Sequence, residues 1–431
     1  MCIRDRDEDG KMLVYSSTQH PSEGQKLVAE VLNIPLSHVT VQVRRMGGAF
    51  GGKETNANQW ACLAALLANK TSRPVRLKLS RAEDFILTGK RHPLLSKYKV
   101  GFSPSGEILG LEIDLFGDCG MSPDLSDAIV DRAMFHIDNC YYLASVTVRG
   151  YRVKTNKVSN TAFRGFGGPQ GILAIENVIE EIASATGLDP LVVRQRNFYR
   201  PSDNRDTTHY GQRIEQHIIQ PLVARLIINS EYHKRKNEIH QFNKTSPVLK
   251  RGIAITPVKF GISFTVTHLN QAGALLHIYT DGSVQLNHGG TEMGQGLYTK
   301  VVQIVATTLQ VDVGDISCTA TRTDKVPNTS PTAASSGSDL NGMAAKQAAE
   351  TLKHRLSEFA AKHFAVDTSA VQFASGHIHI GGHTLTFAEL AHLAYVNRVS
   401  LSAVGYYRTP KIHYDRSLAR GRPFYYFAYG A

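Results

Sequence analysis

The chain has 431 residues, 42% of them apolar, which is enough for two or more domains with ordinary cores. Its 48 basic and 37 acidic residues leave a formal charge of +11. No recognised module gathers that charge on one face, so no nucleic-acid partner is expected. No apolar run reaches the length of a membrane span. The cysteines Cys2, Cys62, Cys119, Cys140 and Cys318 are scattered without a C-x-x-C, which excludes a disulfide framework or a thiolate cluster and fits a reducing cytoplasm.

In chain order, residues 1–12 are charged and patternless. Ser22 with Gln25 three positions on reads as a capping box opening a helix that runs to about Leu32. Val39 to Arg44 alternates as a strand. Arg45 to Glu54 follows, a loop in which four glycines surround Phe50, and Thr55 to Lys70 then reads as a helix. Gly47 to Lys53 satisfies the G-x-x-x-x-G-K spacing of a phosphate loop, but Glu54 stands where a hydroxyl should hold magnesium, and a carboxylate there repels a phosphate. Strands read at Val75 to Leu79 and Ile108 to Leu115. Asn160 to Gln170 is a second glycine-rich loop, carrying Phe163, Arg164 and Phe166, and Ile172 to Ala183 is helical in period.

The stretch from about His233 to Arg251 is polar and basic. Its densest run, His233 to Lys236, reads as a solvated helix face, and a boundary is expected here. Beyond it, Leu275 to Tyr279 and Val284 to Asn287 read as strands, Leu297 to Leu309 and Asn341 to Phe359 as helices. Two further small-residue loops precede those helices, Gly289 to Gly296 and Ser330 to Gly337. His377, His379 and His383 raise the thought of a metal, but they lack a fourth ligand and lie in a pattern better read as a hairpin. The division expected is 1–12, a first domain over 13–245 and a second over 246–431, in a mixed α/β (α+β) fold.

Four loops of glycine and small residues, bearing Phe, Arg and Gln, suggest one large flat ligand approached closely by backbone. Together they resemble the molybdenum-binding subunit of the molybdenum hydroxylase family, in its xanthine-dehydrogenase branch, from about Tyr15 to Gly430. The resemblance implies two elongated cofactor-binding domains, the second incomplete. It implies that Gln19, Phe50, Gly51, Arg164, Gln295, Ala334 and Ser335 hold a molybdenum–molybdopterin cofactor. Of these, Gln19, Phe50, Arg164 and Ala334 would surround the metal without binding it directly. It also implies that Glu54 and Arg132 orient a purine, that Phe166 and Phe264 grip its ring with Thr265 beside them, and that Glu54, Arg132 and Gln19 act in catalysis. The related aldehyde oxidases typically lack the Glu–Arg pair, so a purine is favoured.

The activity so implied is hydroxylation of hypoxanthine and xanthine toward urate, with oxygen from water. Electrons would pass through iron–sulfur clusters and FAD, on a partner chain or other segments, to NAD, in a cytoplasmic hetero-oligomer. The alternatives are an aldehyde-oxidising relative and an inactive cofactor-binding fragment. The family's base glutamate lies in a Gly-Glu-Pro-Pro segment that does not occur here, and the first residues do not match the family. The chain is therefore expected to be a fragment, truncated at both ends and inactive alone. Ala49 stands where the family often has glycine, which a positive φ would make costly.

Overall fold

The computed structural model describes residues 2–6 and 10–431. The chain divides into two compact units, each built from two separated stretches of sequence. One comprises residues 1–89 and 268–410, the other 90–267 and 411–431. These units interleave in sequence, so neither follows the linear division at residue 245.

In the first unit a five-stranded sheet has the order Thr321–Arg322, Val39–Val43, Met12–Tyr15, Cys2–Arg6, Arg76–Leu77. Val39 to Val43 pairs in parallel with Met12 to Tyr15, and Met12, Val14, Val39, Val41 and Val43 are buried. Helices Pro21–Leu32 and Asn56–Thr71 belong to the same core, placing Val28, Ala29, Ala61, Ala64 and Ala65 against those strands. Cys2–Arg6 pairs antiparallel with Met12–Tyr15. Its charged residues hid this strand, because only Cys2 and Ile3 are apolar.

A four-stranded sheet follows in the same unit, in the order Ile316–Cys318, Val284–His288, Gln271–Ile278, Ser402–Arg408. Helices Leu297–Leu309 and Gly337–His363 accompany it. The second helix lies against Ser402–Arg408 so closely that a Cβ on Gly405 would stand 2.0 Å from the Ala344 carbonyl oxygen. Buried alanines at 344, 345, 348 and 349 permit this approach. His377–Ile380 and His383–Thr386 form the expected hairpin. Among the described residues no group of His, Cys, Asp or Glu could hold a metal ion.

In the second unit the sheet is Leu94–Phe102, Ile108–Gly120, Val146–Lys154. Leu111, Ile113 and Leu115 point into the core at period two, while Glu112 and Asp114 on the other face pair with Arg149. Helix Gly168–Thr186 buries Gly171, Ala174, Ile175, Val178, Ile179, Ile182 and Ala183, a helical stripe worth roughly 1.5–3 kcal/mol for each large side chain. Gly187 ends it in the left-handed conformation, with φ 71°. Strand Val258–Ile262 pairs antiparallel with Tyr426–Gly430.

Two expectations need correction. The helix begins at Pro21, with His20 at its N-cap, two residues earlier than a cap at Ser22 would set it, so Ser22 lies inside the first turn and no capping box forms. Ser22 Oγ instead lies 3.1 Å from Thr329 Oγ1, and Gln25 Nε2 donates to the Leu36 and Val39 carbonyls. The strand expected over Val75 to Leu79 shrinks to Arg76–Leu77. The basic run His233 to Lys236, read as a solvated helix face, lies in helix Tyr232–Thr245. No described helix is long and apolar enough to cross a membrane.

Candidate active site

Three of the four small-residue loops lie in the first unit, and hydrogen bonds join them. Gln19, 2% exposed, links two of them. Its Oε1 accepts from Gly51 N at 3.0 Å and its Nε2 donates to the Thr332 carbonyl at 3.0 Å. Its own backbone N–H donates to the Lys53 carbonyl, and its carbonyl accepts from Thr332 N, both at 2.9 Å. Met46 N donates to the Glu292 carbonyl at 2.9 Å, and Thr291 N to Thr332 Oγ1 at 2.8 Å. Gln19 is thus the clamp between the Phe50 loop and the Ala334 loop, and the Gln295 loop is tied to both.

The backbone in these loops is unusual. Phe50 adopts φ 55° and is 61% exposed; Gly47, Gly48 and Gly51 also have positive φ. Ala334 and Ser335 are consecutive residues at φ 55° and 56°. Non-glycine residues in this region cost about 1 kcal/mol or more each, and such strain concentrates at functional sites. Ala49 is not among the residues with positive φ, so its Cβ is accommodated. Lys53 turns inward, its Nζ donating to Ser17 Oγ at 3.0 Å and the Met46 carbonyl at 3.4 Å. Burial holds its pKa below the ordinary lysine value. A lysine so engaged is not reaching for a phosphate, which agrees with the Glu54 objection. Glu54 itself is 6% exposed.

Glu292 organises the third loop. Its carboxylate accepts from Gly294 N at 2.8 Å, Gly296 N at 3.1 Å and Tyr298 N at 3.0 Å, at the start of helix Leu297–Leu309. Burial opposes its charge, but these backbone donors prevail and lower its pKa. Gln295, at the exposed tip, bonds within its own loop to the Thr291 carbonyl and Met293 N. His288 and Thr291 are buried here. His288 Nδ1 accepts from Gly290 N at 3.1 Å, so its hydrogen is on Nε2. Burial depresses its pKa to about 4, against the pull of Glu292.

The second unit carries the remaining expected residues. In the fourth loop Phe166 has φ 51° and Arg164 is exposed, with its carbonyl accepting from Arg91 Nη2 at 2.7 Å. The glycines of this loop serve packing as much as any ligand. A Cβ on Gly167 would lie 2.0 Å from the Ile129 carbonyl, and one on Gly168 would lie 2.6 Å from the Phe260 ring.

Arg132, near the end of helix Ser126–Phe135, is 2% exposed. Its Nη1 donates to the Gly261 carbonyl at 2.9 Å and its Nη2 to the Ser263 carbonyl. The guanidinium also lies over Phe260 and Phe424, 5.3 and 5.2 Å from their ring centres. Phe264, 8% exposed, and half-buried Thr265 follow Ser263 directly.

The turn after Arg132 completes a side-chain ladder along the strand that carries Gly261. Asn139 Nδ2 donates to the Pro257 carbonyl at 2.8 Å, and Asn139 Oδ1 accepts from Lys259 N at 2.9 Å. His136 Nε2 accepts from Gly261 N at 3.1 Å. Lys259 Nζ donates to Asp138 at 2.6 Å, and Tyr199 Oη to the same carboxylate oxygen at 2.7 Å. One edge of Val258–Ile262 is thus paired by a strand, the other by side chains from residues 132–139. The sequence reading named Arg132 but missed His136, Asp138, Asn139 and Lys259. Only the spacing of His136, four residues after Arg132 on a helix, was there to signal it.

Family models for molybdopterin cofactor-binding domains match residues 1–198 and 225–431. The chain belongs to the molybdopterin cofactor-binding family. The match begins at the charged first residues, which the sequence alone set apart. Among family members, xanthine dehydrogenase/oxidase of Felis catus is 44% identical over 425 residues, covering 99% of this chain and 30% of that protein. Xanthine dehydrogenase of Calliphora vicina is 46% identical over 412 residues, covering 96% of this chain and 29% of the relative. The chain therefore spans about a third of the length of the curated relatives it matches. Aldehyde oxidoreductase from Desulfovibrio gigas shares the fold, with a TM-score of 0.83 at 24% identity, covering 99% of this chain and 44% of that one.

The residues present fit the family's cofactor. His288 Nε2 and Thr291 Oγ1 are buried polar atoms with no protein partner, in a loop hydrogen-bonded to the strained Phe50 and Ala334 loops. A polar, flat group approached by backbone is what such unmet donors and exposed peptide faces accommodate.

Proposed function

We propose that this chain is the molybdopterin-binding part of a xanthine dehydrogenase, hydroxylating hypoxanthine and xanthine toward urate. The observation that carries the reading is the single hydrogen-bonded set formed by Gln19 and the Phe50, Gln295 and Ala334 loops in a chain 44–46% identical to xanthine dehydrogenases. When bound, the cofactor supplies two-electron redox chemistry and activates water. The family resemblance implies that Phe50, Gly51, Gln295, Ala334 and Ser335 would hold it through backbone and amide groups and that Arg164 would contribute its backbone, while Gln19 clamps the Phe50 and Ala334 loops.

The family resemblance gives Glu54 and Arg132 the role of orienting the purine, each by its own hydrogen bonds and charge. Phe166 and Phe264 exclude water and grip the ring, with Thr265 beside them. Arg132 stabilises negative charge that builds on the ring oxygen. The proton-accepting glutamate belongs to a Gly-Glu-Pro-Pro segment of the whole protein. Iron–sulfur clusters and FAD elsewhere in that protein or on a partner receive the electrons, in a cytoplasmic hetero-oligomer.

The test is oxygen tracing. Full-length protein supplied with xanthine in H2(18)O is expected to release urate carrying one water-derived oxygen. Urate lacking the label, or no urate from protein that holds molybdenum and pterin, would overturn the reading.

A further inference from the structure

We propose that His136 is the positioning residue that binds Arg132 and the Ser263–Thr265 segment into one unit for purine recognition. Gly261 is the joint, through the two peptide units that meet at its Cα. Its carbonyl accepts from Arg132 Nη1 at 2.9 Å, and its N–H donates to His136 Nε2 at 3.1 Å. The other imidazole nitrogen, Nδ1, lies 2.9 Å from the Arg132 carbonyl oxygen. A carbonyl can only accept and a peptide N–H can only donate, so His136 is neutral with its hydrogen on Nδ1. The helix backbone at Arg132, its guanidinium and the strand peptide therefore form a closed circuit through one imidazole.

The packing repeats the connection. The His136 ring centre lies 4.9 Å from Phe260 and 5.3 Å from Phe424, the same two rings that flank the Arg132 guanidinium. His136 is 2% exposed, with the cationic side chains of Arg132 and Lys259 nearby. A protonated imidazole would lose the Gly261 bond and add a cation there, so the neutral ring is required. Without the imidazole the peptide from Phe260 to Gly261 loses its side-chain partner, and the φ and ψ of Gly261, a residue with no Cβ, are less restrained. The next peptide, whose carbonyl faces Arg132, then shifts, and the Ser263 carbonyl, two residues on and also held by Arg132, is less well placed. Phe264 and Thr265 follow immediately, so arginine, aromatic ring and threonine are set by the same circuit.

The binding readout rests on the purine reading above; the exchange readout does not. In the full-length protein His136→Ala is expected to weaken urate binding, measured by calorimetry, by about tenfold or more, the worth of one oriented hydrogen-bonding group. Molybdenum and pterin content should equal that of the parent. Amide exchange in the peptide spanning residues 257–265 should rise. His136→Gln, whose Oε1 can take the place of Nε2 and accept from Gly261 N, should restore both. If H136A does not accumulate folded, His136→Asn, whose shorter amide reaches the Arg132 carbonyl but not Gly261 N, replaces it in the comparison with H136Q.

Urate affinity within about twofold of the parent in H136A, at equal cofactor content, would overturn the proposal. So would unchanged exchange across 257–265. If the parent itself binds no urate, the purine reading fails, while the exchange measurement still decides whether His136 holds the segment.

Discussion

Replacing Arg132 with alanine in the full-length protein is expected to lower kcat/KM for xanthine by about a thousandfold, the cost of removing a preorganised charged donor. The loss should fall on kcat as well as KM, because the charge acts where negative charge develops. The same change should destabilise the fold by roughly 3–5 kcal/mol, since charge-assisted donors are removed and buried carbonyls left unpaired. Those carbonyls are on Gly261 and Ser263, inside a site where the arginine is 2% exposed. Steady-state kinetics and thermal unfolding read the two effects separately. Arg132→Lys should recover part of the charge effect but not the fork that reaches two carbonyls. If R132A kept parental xanthine turnover, the arginine would be a packing residue alone.

The second large effect is steric. Gly167→Ala should destabilise the protein by roughly 3 kcal/mol or more, because overpacking adds to a backbone angle that alanine adopts poorly. Gly167 has φ 95°, and its added Cβ would stand 2.0 Å from the Ile129 carbonyl of helix Ser126–Phe135. The helix cannot move away without displacing Arg132, which it carries. Gly187→Ala is the control: its φ is 71°, but a Cβ there meets nothing within 4 Å. It should cost only about 1 kcal/mol. Thermal denaturation of both variants separates the angle from the collision. Equal shifts in Tm would show that helix approach is not what the glycine serves.

These results bear on what the sequence made legible. Helices with a strong apolar stripe were readable: Leu297–Leu309 falls where its periodicity placed it, and Asn56–Thr71 within a residue. The small-residue loops were readable as a set because glycine beside Phe, Arg and Gln is an uncommon composition for a turn. Their purpose was less readable. The glycines of residues 165–171 looked like backbone cleared for a ligand, yet Gly167 and Gly171 are required by the Ile129 and Ala133 carbonyls. Close helix approach and close ligand approach leave the same mark in sequence. The ladder from Arg132 to Asn139 was illegible for a different reason. Its partners are backbone atoms of residues 257–263, more than a hundred positions away, and a backbone acceptor has no sequence signature. Likewise the alternation that reveals strands fails at Cys2–Arg6, whose sequence is mostly charged, and compact units assembled from interleaved stretches cannot be read from a linear change in composition.

The purine assignment is the centre of the account, and Glu54 tests it most directly. Glu54 is buried beside the Phe50 loop, and valine matches it closely in volume while removing the carboxylate. The measurement is the ratio of kcat/KM for xanthine to that for a simple aldehyde, in full-length parent and Glu54→Val, at equal molybdenum content. The ratio is expected to fall by about a hundredfold or more, because an oriented charged hydrogen bond to the purine is lost and an aldehyde needs none. A ratio unchanged by the substitution, or a parent that oxidises the aldehyde and leaves xanthine untouched, would contradict it.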